Sequence, residues 1–289
     1  MLGPITKIGS RGLLYTFPAG TFGFETSVYA VNCSDFVLLC DTHLGPLSME
    51  PVTIAIHEQF GEKPIVVFNT HADYDHIWGN CAFPDVRIIS HKDTVRMIRE
   101  RGKAFLDILR DYTNGIVVLT SPNETFSDNL TIPREKITLI HTPGHTCDSS
   151  SLFDEKDGVL FCGDTFEDPL PCVAWHEHAV YVDTIQKITA MNPSKIISSH
   201  SGIVTPILIE KNRHYISALA ENRQPELEGR ERASHMMNRK FIYSSLLADQ
   251  LRNDNEHLFD SYAFTVALLK NVDLPYDEFK LKLDAFIPH

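Results

Sequence analysis

The apolar run Ile65-Val-Val-Phe68 leads almost directly into His71-Ala-Asp73-Tyr-Asp75-His76. Four side chains able to hold a metal thus fall within six residues, at the end of a short β-type run. Packing does not account for such a cluster. A loop at the end of a strand, held on a rigid scaffold, is where functional sites are usually built. The spacing adds a constraint. In an extended or turn conformation residues 71 and 73 point the same way, while Asp75 and His76 fall on the next turn and can face a second ion. One loop can start two metal sites.

Four further segments repeat the pattern: Cys40-Asp41-Thr42, Thr142-Pro-Gly-His145-Thr, Phe161-Cys-Gly-Asp164-Thr and Ser198-Ser-His200-Ser-Gly202. Each follows an apolar run, so each places its polar residue at the C-terminal edge of a strand. Gly144 and Gly163 allow tight turns that aim His145 and Asp164.

The rest of the chain supplies two strand-rich blocks and a helical tail. Strands are predicted over 12–17, 26–32, 36–41, 63–69 and 86–90, then over 115–119, 130–132, 137–141, 150–153, 159–162 and 195–199. Helical spacing marks 46–60, 91–111 and 179–191. From residue 206 onward the pattern is helical, over 206–222, 229–251, 256–269 and 275–286. The apolar stripe at Phe241, Leu246, Leu247 and Leu251 must be buried, either on the domain or in a homodimer formed through these helices.

Composition narrows the functions. The 289 residues are 43% hydrophobic and 22% charged, ordinary globular material with a formal charge of -12. That balance argues against a nucleic-acid or anionic-membrane surface, and leaves a small-molecule substrate as the expected partner. No basic-then-apolar leader opens the sequence, and no run reaches membrane-spanning length. The cysteines at 33, 40, 81, 147, 162 and 172 contain no C-x-x-C pair. They read as reduced thiols, and the expected location is cytoplasmic.

Taken in order, the five segments resemble the motifs of the metallo-β-lactamase superfamily, over roughly residues 12–205. The resemblance implies an α/β fold, an αββα sandwich of two mixed β-sheets with outer helices. Residues 1–205 would be the catalytic domain and 206–289 a helical C-terminal extension. It also implies a two-metal centre. His71, Asp73 and His145 would bind the first ion, Asp75, His76 and His200 the second, and Asp164 would bridge both. Asp41 would orient the His-rich loop. The antibiotic-hydrolysing lactamases carry a Cys ligand where this chain has Asp164, so the likeness is to the broader, Asp-bridged branch.

Asp73 departs from that pattern, since most members carry His there. An Asp oxygen reaches nearly the same point as the imidazole Nδ1 it replaces. Carboxylates ligate zinc, iron and manganese. Two divalent metals are expected, zinc first, with Fe or Mn more competitive because a third carboxylate lowers the net charge of the centre. The alternative is that Asp73 leaves the first site empty.

The expected activity is hydrolysis of an ester, thioester, lactone, lactam or phosphodiester by metal-bound hydroxide, with Asp75 and Asp164 as the catalytic carboxylates. A second expectation is a diiron oxidoreductase or sensor of oxygen or nitric oxide, because the flavodiiron branch also carries a carboxylate at the position of Asp73. A third is a non-enzymatic metal-binding scaffold. Trp175, His176 and His178 follow the Asp164 segment and are candidates for substrate contact. His91 reads as a helix cap, and His43 and His141 as packed or supporting residues.

Overall fold

The computed structural model describes residues 3–19, 23–255 and 259–287. Seven strands form the first sheet in chain order: β1 (Ile5–Ile8), β2 (Gly12–Phe17), β3 (Thr26–Asn32), β4 (Val37–Cys40), β5 (Ile65–Phe68), β6 (Ile88–His91) and β7 (Glu124–Phe126). Pairing is antiparallel up to β4 and parallel from β4 to β7. The second sheet runs β8 (Asn129–Ile132), β9 (Ile137–His141), β10 (Ser150–Asp154), β11 (Val159–Phe161), β12 (Lys195–Ser198) and β13 (Gly202–Ile203). Only β11 and β12 pair in parallel there.

Central strands such as β4 and β11 read as unbroken apolar runs because both of their faces are covered. Leu38 and Cys40 of β4 turn inward and pack with Ile137, Leu139, Leu152, Phe161 and Ile197 of the other sheet. Val37 and Leu39 turn outward onto Met49, Val52 and Ile56 of helix α1 (Pro46–Phe60). On the far side, Leu160 and Ile196 pack with Tyr181, Ile185 and Ile188 of α5 (His178–Ala190), and with Tyr215 and Ile216 of α6 (Pro206–Ala220). The result is an αββα sandwich. Each fully buried Leu or Ile contributes about 1.5–3 kcal/mol.

This topology gathers the site. β4, β5, β9, β11 and β12 all end at one edge of the sandwich, immediately before the five polar segments. The remaining helices are α2 (Tyr74–Ile77), α3 (Lys92–Met97), α4 (Lys103–Ile108), α7 (Arg230–Asn255), α8 (Ser261–Asn271) and α9 (Tyr276–Asp284). The last three share a small core of Leu247, Leu251, Phe264, Phe279 and Leu283. Leu246, expected in the same stripe, is 50% exposed. Helix α8 also reaches the first half of the chain, where the Tyr262 hydroxyl donates to Asp107. No helix among the described residues is long and apolar enough to cross a membrane.

Three sequence expectations need correcting. The segment 115–119 joins neither sheet; Ile116 and Val118 point into solvent, and β7 takes the place beside β6. The helix expected over 91–111 is divided by one π-helical turn at Ile98–Gly102 and ends in a short 3-10 turn at Arg110–Tyr112. A π-turn widens the helix by one residue, so a single 3.6-residue periodicity does not run through it. The first three positions of the helix expected over 256–269 lie outside the described residues, and the helix is observed over Ser261–Asn271.

Candidate metal centre

His71 leaves β5 after Asn69 and Thr70, and Asp73 is the extended residue before the single-turn helix α2. Asp75 and His76 lie in that turn, and the His76 ring packs against that of His71 with centroids 4.1 Å apart. Asp73 Oδ2 lies 3.6 Å from His71 Nε2 and 3.3 Å from His145 Nε2. Asp75 Oδ2 lies 3.6 Å from His76 Nε2 and 3.4 Å from His200 Nε2. Asp164 Oδ2 sits among all four imidazoles, 3.6 Å from His71, 3.3 Å from His76, 3.8 Å from His145 and 3.1 Å from His200. All seven residues proposed as ligands therefore meet, in two groups joined by Asp164.

The spacing fits metal coordination. Two donors bound at about 2.0–2.1 Å to a tetrahedral ion stand about 3.3–3.4 Å apart, close to the distances above. His71 Nε2, His76 Nε2, Asp75 Oδ2 and Asp164 Oδ1 are buried without a hydrogen-bond partner. Burying so many unpaired polar atoms is costly unless a cation completes them. The donor set of imidazoles and carboxylates suits zinc, iron or manganese.

Each imidazole is also held by its other nitrogen, which leaves Nε2 facing inward. His76 Nδ1 donates to Asp41 Oδ2 at 2.9 Å. His71 Nδ1 pairs with the Thr70 hydroxyl at 2.9 Å, and that hydroxyl donates to Asp41 Oδ2 at 2.8 Å. His145 Nδ1 donates to the Cys172 carbonyl at 2.9 Å, and His200 Nδ1 to the Glu25 carbonyl at 2.8 Å. Asp41 is fully buried, with a left-handed backbone (φ 63°). That conformation is uncommon for a residue with a Cβ, and Asp and Asn tolerate it best.

The two glycines act differently. Gly163 has φ 54° and makes the turn its residue type predicts. Gly144 is needed for space instead, because a Cβ there would lie 2.3 Å from the buried Tyr181 ring.

The electrostatics follow from this crowding. Burial disfavours ionisation of Asp164, yet His200 and His76 hold its carboxyl well below the usual range. Burial likewise opposes a charged His145, but the Asp73 carboxylate keeps its pKa well above normal. His200, desolvated but facing Asp164, is raised to about 10. The cluster thus attracts cations, whether protons or metal ions. Asp73, with 28% of its side chain exposed, and His200, with 11%, are its most accessible members. They mark the solvent-facing side of the cluster.

Residues 22–200 match the sequence model of the metallo-beta-lactamase superfamily. The chain belongs to that superfamily. Among curated relatives, a hydroxyacylglutathione hydrolase of Thermosynechococcus vestitus is 27% identical over 126 residues, 42% of this chain and 42% of that protein. A hydroxyacylglutathione hydrolase of Gloeobacter violaceus is 27% identical over 130 residues, again 42% of each chain. The match therefore spans well under half the length of these two relatives. The Bacillus subtilis protein YobT is 29% identical over 171 residues, 56% of this chain and 70% of that one. Among solved structures, a metallo-beta-lactamase from Pontibacter korlensis superposes with a TM-score of 0.61 at 18% identity, over 75% of this chain and 99% of its own. The lactamase FIM-1 from Pseudomonas aeruginosa gives 0.60 at 18% identity, over 76% of this chain and 97% of its own. At such identities the superpositions show the superfamily fold.

The other sequence candidates lie outside the ligand groups among the described residues. His176 Nδ1 bonds the Ser245 hydroxyl of α7 at 3.0 Å, and Trp175 is half-buried beside it. His178 opens α5, with a buried Nε2. His91 caps α3 and stacks on His141, with ring centroids 3.8 Å apart. His43 stacks on Phe17 at 3.8 Å and bonds Ser48. None of the six cysteines is bonded to another.

Sequence reasoning missed Glu167, which groups with His145 and Asp164. Burial and the Asp164 charge push its carboxyl up to about 7. Its place three residues after Asp164 is visible in the sequence. The bend of the loop that brings it back toward His145 has no local signal.

Proposed function

We propose that this superfamily member is a metal-dependent hydrolase of a small ester or thioester. The reading rests on seven ligand atoms converging in two groups about Asp164, with every imidazole oriented through its second nitrogen. His71, Asp73 and His145 would hold one divalent ion, Asp75, His76 and His200 the other, and Asp164 both. Two ions so held supply Lewis acidity and activate water at neutral pH. The chain's own residues do the rest. Asp164 fixes the two groups relative to each other, Asp75 is the carboxylate placed to take up a proton during turnover, and the exposed edges of Asp73 and His200 admit the substrate. Thioesters stand first among substrates because two relatives carry the name hydroxyacylglutathione hydrolase.

The test replaces His71 or His200 with Ala. Bound metal is then measured together with hydrolysis of thioester, ester, lactone, lactam and phosphodiester substrates. Loss of both metal and turnover is expected; unchanged turnover in both variants would overturn the assignment.

Asp73 favours a second reading. Its carboxylate stands within the first group, so a harder ion than zinc is competitive there. A diiron oxidoreductase would need electrons from a partner protein. Elemental analysis of protein purified without added metal separates the two readings, since a zinc-only centre counts against redox chemistry.

A further inference from the structure

Residues 163–177, between Asp164 and α5, form neither strand nor helix. This segment nevertheless holds His145 at two points. The Cys172 carbonyl orients His145, and the Cys172 N–H donates to Glu167 Oε1 at 3.2 Å. The Ala174 N–H donates to the His145 carbonyl at 2.9 Å. Buried backbone without a ladder must find its partners in side chains, and here two asparagines provide them. Asn212 on α6 accepts from the Glu167 N–H at 2.9 Å and donates to the Glu167 carbonyl at 3.0 Å. Asn238 on α7 accepts from the Val173 N–H at 3.0 Å and donates to the Pro171 carbonyl at 2.9 Å. Both side chains are fully buried. Asn238 is itself braced, since its amide donates to Tyr215, whose hydroxyl bonds His235.

The two contacts share one form. Each amide reads a donor and an acceptor of the segment's backbone, as a neighbouring strand would. Asn238 grips the residues on either side of Cys172, and so sets the direction of the carbonyl that holds His145. We propose that Asn238 and Asn212 are positioning residues through which the C-terminal helices hold the first metal site in register. The imidazoles of the second group are oriented from elsewhere, His76 by Asp41 and His200 by the Glu25 carbonyl. The hydrogen bonds of Asn238 therefore lead directly to the carbonyl that holds His145, whereas the extension reaches the second group only indirectly, through Asp168 and Ser201 and through the shared Asp164.

The inference rests on the metal-centre reading given above, and the test keeps the two apart. Metal-free full-length protein is titrated with Co2+, followed by absorption, and with Zn2+ against a competing chelator. His145→Ala identifies the binding step that belongs to the first site. Asn238→Ala is expected to weaken that step roughly 10- to 100-fold, the range for partners that orient a ligand, and to change the second far less. Asn212→Ala should act in the same direction. Asn238→Asp keeps the acceptor for Val173 but loses the donors to Pro171 and Tyr215 and turns a buried carboxylate toward a carbonyl oxygen; it should shift the first step at least as far as alanine, and Asn212→Ala carries the test if the Asn238 variants do not fold. Leu247→Ala, in the core of the same helix, destabilises the extension without touching the segment and should leave the ratio of the two affinities unaltered. Equal loss at both sites, no loss, or the same altered ratio in Leu247→Ala would overturn the proposal. If instead the wild-type protein and His145→Ala bind Co2+ alike, the metal-centre reading itself has failed.

Discussion

Asp41 is the residue whose replacement tests the centre most sharply without removing a ligand. Its carboxylate accepts three hydrogen bonds: from the Thr70 N–H at 2.8 Å, the Thr70 hydroxyl at 2.8 Å and His76 Nδ1 at 2.9 Å. Asp41→Asn preserves size and tolerates the φ of 63°. The amide oxygen can keep the Thr70 N–H, which turns the new NH2 group toward His76. The imidazole must then accept at Nδ1, and its proton moves to Nε2, the atom that faces the ion. A hydrogen bond to a charged group is worth about 1.5–3 kcal/mol. At 1.36 kcal/mol per tenfold change, losing one weakens the second ion roughly 10- to 150-fold. The first site, reached only through Thr70 and His71, should lose less. Competition titration of the metal-free protein reads both constants, and thermal melts of the metal-free forms report any structural loss separately. An Asn variant that binds both ions with wild-type affinity would refute the tautomer argument.

Three further predictions follow from particular residues. Asp73→Ala should lower bound metal from two ions to one per chain while the second group keeps its ion; equal metal content in the variant and the wild type would show that Asp73 is not a ligand. His43 is buried beside His76 and His200, which lowers its pKa from 6.5 to about 3. The unfolded chain therefore takes up that proton first, so the stabilisation is complete above pH 6.5 and declines as the pH falls, by ~2 kcal/mol at pH 5. His43→Asn, which suits the left-handed backbone at this position, should remove that part of the acid sensitivity in denaturant melts between pH 7 and pH 5. Gly144→Ala drives a methyl group into Tyr181 and should cost about 1–3 kcal/mol; a thermal midpoint equal to wild type would mean the helix carrying Tyr181 yields more easily than its burial implies.

The strands that matter most were legible because they are buried on both faces. Runs such as Val37–Cys40 and Ile65–Phe68 leave no polar position on either side. The segment 115–119 has the same composition but is not a strand. Only the sheet decides that, by giving the edge beside β6 to residues 124–126. The candidate ligands were legible because coordination chemistry demands particular residue types at strand ends. His71, Asp73, Asp75, His76, His145, Asp164 and His200 all came from such positions.

The sequence by itself therefore determined the residue types of a candidate metal centre and the loops that carry them, since ligand chemistry and β-periodicity are local properties of the chain. Tertiary structure alone decided which atoms meet. It placed Asp164 among four imidazoles, brought Glu167 back toward His145, and laid Asn212 and Asn238 along a segment some 45 and 65 residues away in the chain. An asparagine in a helix carries no local sign of the backbone it will grip. That partner is chosen by packing, when an irregular loop must find hydrogen bonds that no strand provides.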